Sequence, residues 1–81
     1  MYTTHMEPKA GQIWQHYKTK GEYEIISIGK LQVKVESLDM VDCVIYKAVS
    51  DGKVWVRPLA DFVETVLNET GERVPRFHKV R

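Results

Sequence analysis

The chain has 81 residues, of which 43% are hydrophobic and 28% charged, so it holds one domain and is neither a two-domain enzyme nor a disordered or collagen-like segment. Twelve Lys and Arg against eleven Asp and Glu leave a net charge of +1, which gives no global pull toward nucleic acid or an anionic membrane. A single cysteine, Cys43, excludes an intramolecular disulfide and a cysteine cluster, and fits a reducing compartment.

No apolar run approaches the roughly 20 residues that cross a bilayer, and the N-terminal MYTTHMEPKAG lacks a basic region followed by an apolar stretch. A cytoplasmic protein with no membrane partner is expected. Residues 1–10 read as a flexible leader, and 11–81 as the folded domain.

From Gln12 onward the pattern is short and period-two, with turn residues about every ten positions. Gln12 to Tyr17 is the first expected strand, ended by the turn KTKG. Tyr23 to Ile28 is the second, rich in β-branched residues and stopped by Gly29. Leu31, Val33 and Val35 alternate with Gln32, Lys34 and Glu36, the pattern of a strand with one buried and one wet face. Cys43 to Val49 forms a hairpin with Val54 to Arg57 through SDGK, where Asp51 and Gly52 supply the positive backbone angles of a tight turn. Pro58 closes that strand, and LADF at 59–62 makes one helical turn. Residues 63–67 fit a strand or a longer helix; a turn followed by a strand is the preferred reading. NETG is a turn, and RVPRFHKV returns as an edge strand that tolerates Pro75.

Five to six short antiparallel strands and one helical turn make a strongly bent sheet that must hide its apolar face and its edges. A mostly β fold, a small SH3-like barrel, is the expected solution. An OB-type barrel is the alternative, though it usually spends more residues on closure.

GQIWQHYK at 11–18, CVIYKAV at 43–49, WVRPLADFVETV at 55–66 and VPRF at 74–77 occur in that order. Together they resemble domain of unknown function family 1653, small bacterial and phage proteins. The resemblance implies a compact, mostly β domain and brings no activity with it. The segment KLQVKVESLDMVD departs from the family pattern, so no residue role is carried onto it.

Alternation along the first strand puts Trp14, His16 and Lys18 on one face, and along WVRP it puts Trp55 and Arg57 on one face. If these faces meet, two indoles, an imidazole, an ammonium and a guanidinium surround one patch. That composition suits an anion or a nucleotide: Arg offers a planar fork and indole a stacking plate. Arg76, in the basic C-terminal stretch with Arg73, Lys79 and Arg81, is added to the ligand-binding set. The competing reading makes the Trp and Tyr rings core and pairs Arg57 with Asp61 or Glu64. His5 and His78 have no ligand spacing with His16, so neither a metal nor a cofactor is expected. Cys43 reads as a buried small hydrophobe.

No phosphate loop, nucleophile elbow or zinc motif is present, and so small a chain seldom supplies a pre-organised catalytic set; an enzyme is not expected. The functional expectation is a binding module for a small anionic or nucleotide-like ligand or a short peptide. The alternative is a protein-interaction or inhibitor protein, monomer or homodimer, acting through a strand edge. Direct nucleic-acid binding through the aromatics and the basic tail is a third reading.

Overall fold

In the computed structural model, which describes residues 7–81, the elements follow as β1 (Ile13–His16), β2 (Glu22–Lys30), β3 (Asp42–Ala48), β4 (Val54–Pro58), α1 (Leu59–Phe62), β5 (Thr65–Leu67), β6 (Arg73–Pro75) and β7 (Phe77–Lys79). Five strands form an antiparallel sheet in the order β4, β3, β2, β1, β7, and β5 pairs with β6 as a separate ribbon. The mostly β expectation holds, as does the helical turn followed by a strand after Pro58. The expected barrel does not close. The last strands have three residues each, and β6 ends at Pro75, so β5 and β6 pair with each other and leave β4 and β7 as the two ends of the main sheet.

Hydrogen-bond register sets the core. Trp14 lies opposite Tyr23, Ile25 opposite Tyr46, and His16 opposite Phe77, so these residues share one face of the sheet. Trp14, Ile25, Val44, Tyr46, Phe62 and Phe77 form the buried cluster, with Tyr23, Leu59 and Val63 packed against it. Pro58 (φ −54°, ψ 139°) fixes the turn into α1, and the Val63 N–H donates back to the Leu59 carbonyl at 3.1 Å where the helix stops. This single turn exists to deliver Phe62, which is fully buried, onto the sheet.

Two sequence expectations are corrected in β2 and after it. The strand runs through Gly29 to Lys30, and a bulge between Ile25 and Ser27 leaves Ile26 as the extra residue. A Cβ on Gly29 would come within 3.3 Å of Ile45 Cδ1, so glycine there serves close approach and does not end the strand. The alternating Leu31, Val33 and Val35 are not a strand. They belong to a loop clamped at its neck by Leu31 N–H to Val41 O (2.9 Å) and Met40 N–H to Leu31 O (2.6 Å), and inside by Val33 N–H to Asp39 Oδ1 (3.0 Å). Val35 is exposed there, because no neighbouring strand reaches it.

In the β3–β4 hairpin only Gly52 takes a positive angle (φ 74°); Asp51 accepts from the Lys53 N–H at 2.9 Å instead. Of the expected leader, residues 1–6 lie outside the described residues. Within residues 7–10 Pro8 is buried, and the Lys9 N–H donates to Gln12 Oε1 at 2.9 Å.

Phe62→Ala is expected to cost about 3–5 kcal/mol, a large part of the stability of a small domain. Leu67→Ala, at a well-exposed position, is expected to change stability by less than about 0.5 kcal/mol. Urea unfolding of the two variants beside the wild type measures both.

Candidate functional site

The core-bearing side of the sheet opens into a cleft of about 180 Å³ beside the end of β1 and the first residues of β4. His16 comes from β1, Tyr23 from β2, Tyr46 from β3, Trp55 and Arg57 from β4, and Phe77 from β7; Thr19 of the β1–β2 turn completes the lining. Strand pairing makes the arrangement unavoidable. Trp55 lies opposite Tyr46, Tyr46 opposite Ile25, and Arg57 opposite Val44, so once Ile25 and Val44 are buried, Trp55 and Arg57 must rise on the same side.

Aromatic edges build the walls. Tyr46 meets Tyr23 edge-on at 5.3 Å and Phe77 at 5.7 Å, while His16 meets Phe77 edge-on at 5.1 Å. Arg57 Nε donates to Tyr46 Oη at 3.3 Å, and its guanidinium lies 5.8 Å from the Phe77 ring centroid. Among the described residues Arg57 has no carboxylate partner, and none of the residues lining the cleft is acidic. Its planar donors are held by aromatic packing yet left without a counter-charge. Trp55 is 47% exposed, with Lys53 Nζ 5.5 Å from its ring centroid.

His16 joins the cleft to the turn that follows β1. Its Nδ1 accepts from the Lys18 N–H at 3.2 Å and the Thr19 N–H at 3.4 Å, which places the proton of the neutral ring on Nε2. Burial, and after it the positive charges of Arg57, Arg76 and Lys18, push the imidazole below its ordinary value of 6.5. At neutral pH it is an uncharged group in a positive field.

Of the residues singled out from sequence, His16, Trp55 and Arg57 come together. Trp14 does not: it is 5% exposed, packs edge-on against Phe62 at 5.5 Å, and donates from Nε1 to Gln12 Oε1 at 3.0 Å. A position on an inner strand, facing Phe62 of α1, makes it core. Lys18 sits in the turn and lines a second, larger cleft of about 360 Å³ with Tyr17, Lys20, His78 and the turn at Asn68–Thr70. That cleft sets the Glu69 carboxylate against Lys18 and Lys20, and its charged side chains stand on exposed turns, without the aromatic packing that orients Arg57. Arg76 is committed elsewhere, donating from Nη2 to Glu64 Oε1 at 2.9 Å and from Nε to the Asp61 carbonyl at 3.1 Å. The pairing to Glu64 expected of Arg57 in the structural reading thus belongs to Arg76.

Tyr23, Tyr46 and Phe77 complete the site and are not singled out by strand alternation alone. A signal for Tyr46 existed: the Ala48 N–H to Lys53 O bond at 2.9 Å closes the hairpin so that Tyr46 must face Trp55. The length of the loop fixes that pairing.

The profile of the family described as Protein of unknown function (DUF1653) matches residues 12–79. The chain belongs to that family. No curated protein and no solved structure matches it. The match spans β1 through β7, so every cleft residue lies inside the family region.

Because the folded state lowers the proton affinity of His16, the unfolded chain takes up the proton first as pH falls below 6.5. The contribution to stability is therefore complete above that value, is lost progressively below it, and levels off once pH has passed the lowered folded value. His16→Asn keeps an acceptor for the turn but cannot titrate. Thermal midpoints of the wild type are expected to fall relative to those of His16→Asn on acidification; parallel pH profiles would show that His16 does not couple to folding.

Proposed function

We propose that the cleft is a non-enzymatic recognition site for one anionic or planar head group carried by a larger ligand. The observation that supports this reading is Arg57, a guanidinium oriented by Tyr46 and Phe77 and free of any carboxylate among the described residues. Trp55 adds an exposed indole beside it, and Lys18 and Arg76 add positive potential that His16 already senses.

Size narrows the ligand. Sites that swallow a whole drug-sized molecule span about 300–1,000 Å³, whereas this cleft holds about 180 Å³. A phosphate, a carboxylate or a single aromatic ring fits; a complete nucleotide leaves its remainder outside, across Trp55. Nucleotide-like ligands and acidic or aromatic peptide ends share that chemistry. The economy of short antiparallel strands with one helical turn supports an SH3-like relationship, in an open form whose rim is this cleft.

Thermal-shift screening against nucleoside monophosphates, cyclic dinucleotides, sugar phosphates and short acidic peptides is expected to give a stabilising class, since a ligand bound only by the folded state raises its apparent stability. Trp55→Ala is expected to weaken binding of that class by about 1–3 kcal/mol, and Arg57→Lys to weaken it because the planar fork is lost. Both variants should stay folded, Arg57→Lys with a modestly lower thermal midpoint without ligand because its bond to Tyr46 Oη is lost. A flat screen, or variants that bind as the wild type does, would remove the cleft as a site.

A further inference from the structure

The outer edge of β4 carries a second recognition feature, which shares Trp55 and Arg57 with the cleft but rests on the backbone of the edge and not on the ligand reading. Val54, Trp55 and Val56 are 57%, 47% and 59% exposed, three consecutive apolar residues on a strand that ends the sheet. Such a run on an open edge is a template for strand addition. The opposite end, β7, has only three residues, two of them His78 and Lys79, which is how an edge is normally guarded.

Backbone polarity along β4 follows from the hairpin. The Ala48 N–H bonds Lys53 O, so the ladder alternation makes Tyr46–Trp55 and Val44–Arg57 the hydrogen-bonded pairs. Trp55 and Arg57 therefore spend their backbone groups on β3. Val54 and Val56 turn theirs outward, and Pro58 turns out a carbonyl with no N–H to leave unmet.

We infer that this edge pairs with β4 of a second copy, antiparallel about a two-fold axis through Val56. In that register the Val56 N–H and C=O exchange bonds with those of Val56 in the second copy. The Val54 N–H of each chain donates to the Pro58 carbonyl of the other, so the missing proline donor falls at the end of the ladder. The same register is complementary on both faces. On one, Trp55 lies opposite Arg57 of the second copy in a close, non-hydrogen-bonded pair, where indole and guanidinium stack and the guanidinium edge stays free. On the other, Val56 meets Val56, each flanked by the half-buried Ile45 of its own β3, giving one apolar row across the dyad.

The neighbouring antiparallel registers do not do this: shifting by two residues sets either Trp55 opposite Trp55 with Arg57 opposite Lys53, or Arg57 opposite Arg57, and both place like charges face to face, while a shift of four leaves only Val54 of β4 paired. The two sheets become one, and the two clefts lie side by side across the axis. A contact this narrow belongs with small, reversible interfaces.

Sedimentation of the full chain over a concentration series is expected to show the 9.4 kDa species giving way to twice that mass. Val56→Lys and Val56→Glu, at an exposed position that bonds no neighbouring strand, should each keep the wild-type circular dichroism and thermal midpoint yet sediment only as monomers. An equimolar mixture of the two should recover the doubled mass, because only this register sets residue 56 against itself with opposite charges. A wild type that stays monomeric at its solubility limit overturns the inference. So do variants that dimerise as the wild type does, and a mixture that remains monomeric after each variant alone has been shown to be folded.

Discussion

Phe77 and Phe62 stack almost parallel, ring centroids 4.2 Å apart and planes 4° from each other, and most of what is distinctive about the domain passes through this contact. Phe62 rides on a single helical turn that has too few residues to be stable alone, and Phe77 on a three-residue strand at the end of the sheet. Each element is held in place by the other's ring. Trp14 and Tyr46 close on Phe62 edge-on, while His16, Tyr23 and Tyr46 close on Phe77 the same way, so one aromatic cluster runs from the core to the cleft. The inner wall of the cleft, Tyr23, Tyr46 and Phe77, is the outer margin of the core.

The two arginines near this cluster show how position divides a charge's work. Arg76 lies where the chain turns from β6 to β7, and its side chain crosses to α1 and the residues after it, binding Glu64 and the Asp61 carbonyl. It fastens the two-stranded ribbon and the helical turn together, the more so because the Arg76 N–H also donates to the Glu64 carbonyl at 3.0 Å. Arg57, on the main sheet, donates to a phenol and lies over an aromatic ring, with no carboxylate partner among the described residues. One cation is structural, the other is available.

Strand parity made much of this legible in the sequence. Once Trp55 and Arg57 are assigned to a strand they must share a face, and the turn signal at Asp51 and Gly52 fixes where that strand begins. What parity cannot supply is depth. Trp14 and Trp55 look alike in a pattern of alternating residues, yet one occupies an inner strand beneath α1 and the other an edge, and only the strand order separates them. The alternation of Leu31, Val33 and Val35 misleads for the same reason: period two describes a strand only if a partner strand lies alongside, and this segment folds back on itself. Barrel closure was equally out of reach, since it depends on whether the last short strands find an edge or each other.

The bulge at Ile26 changes the parity of β2 partway along. Before it, odd-numbered Tyr23 and Ile25 belong to the core face; beyond it, even-numbered Ile28 is the residue opposite Val44, and Gly29 comes under Ile45. Loss of one residue anywhere in the upper half of this strand would therefore exchange its inner and outer faces, whereas loss of Ile26 itself would straighten the ladder and leave a regular count. Among length variants of the chain, β2 is free to differ by a single residue at that one point, and elsewhere only by two.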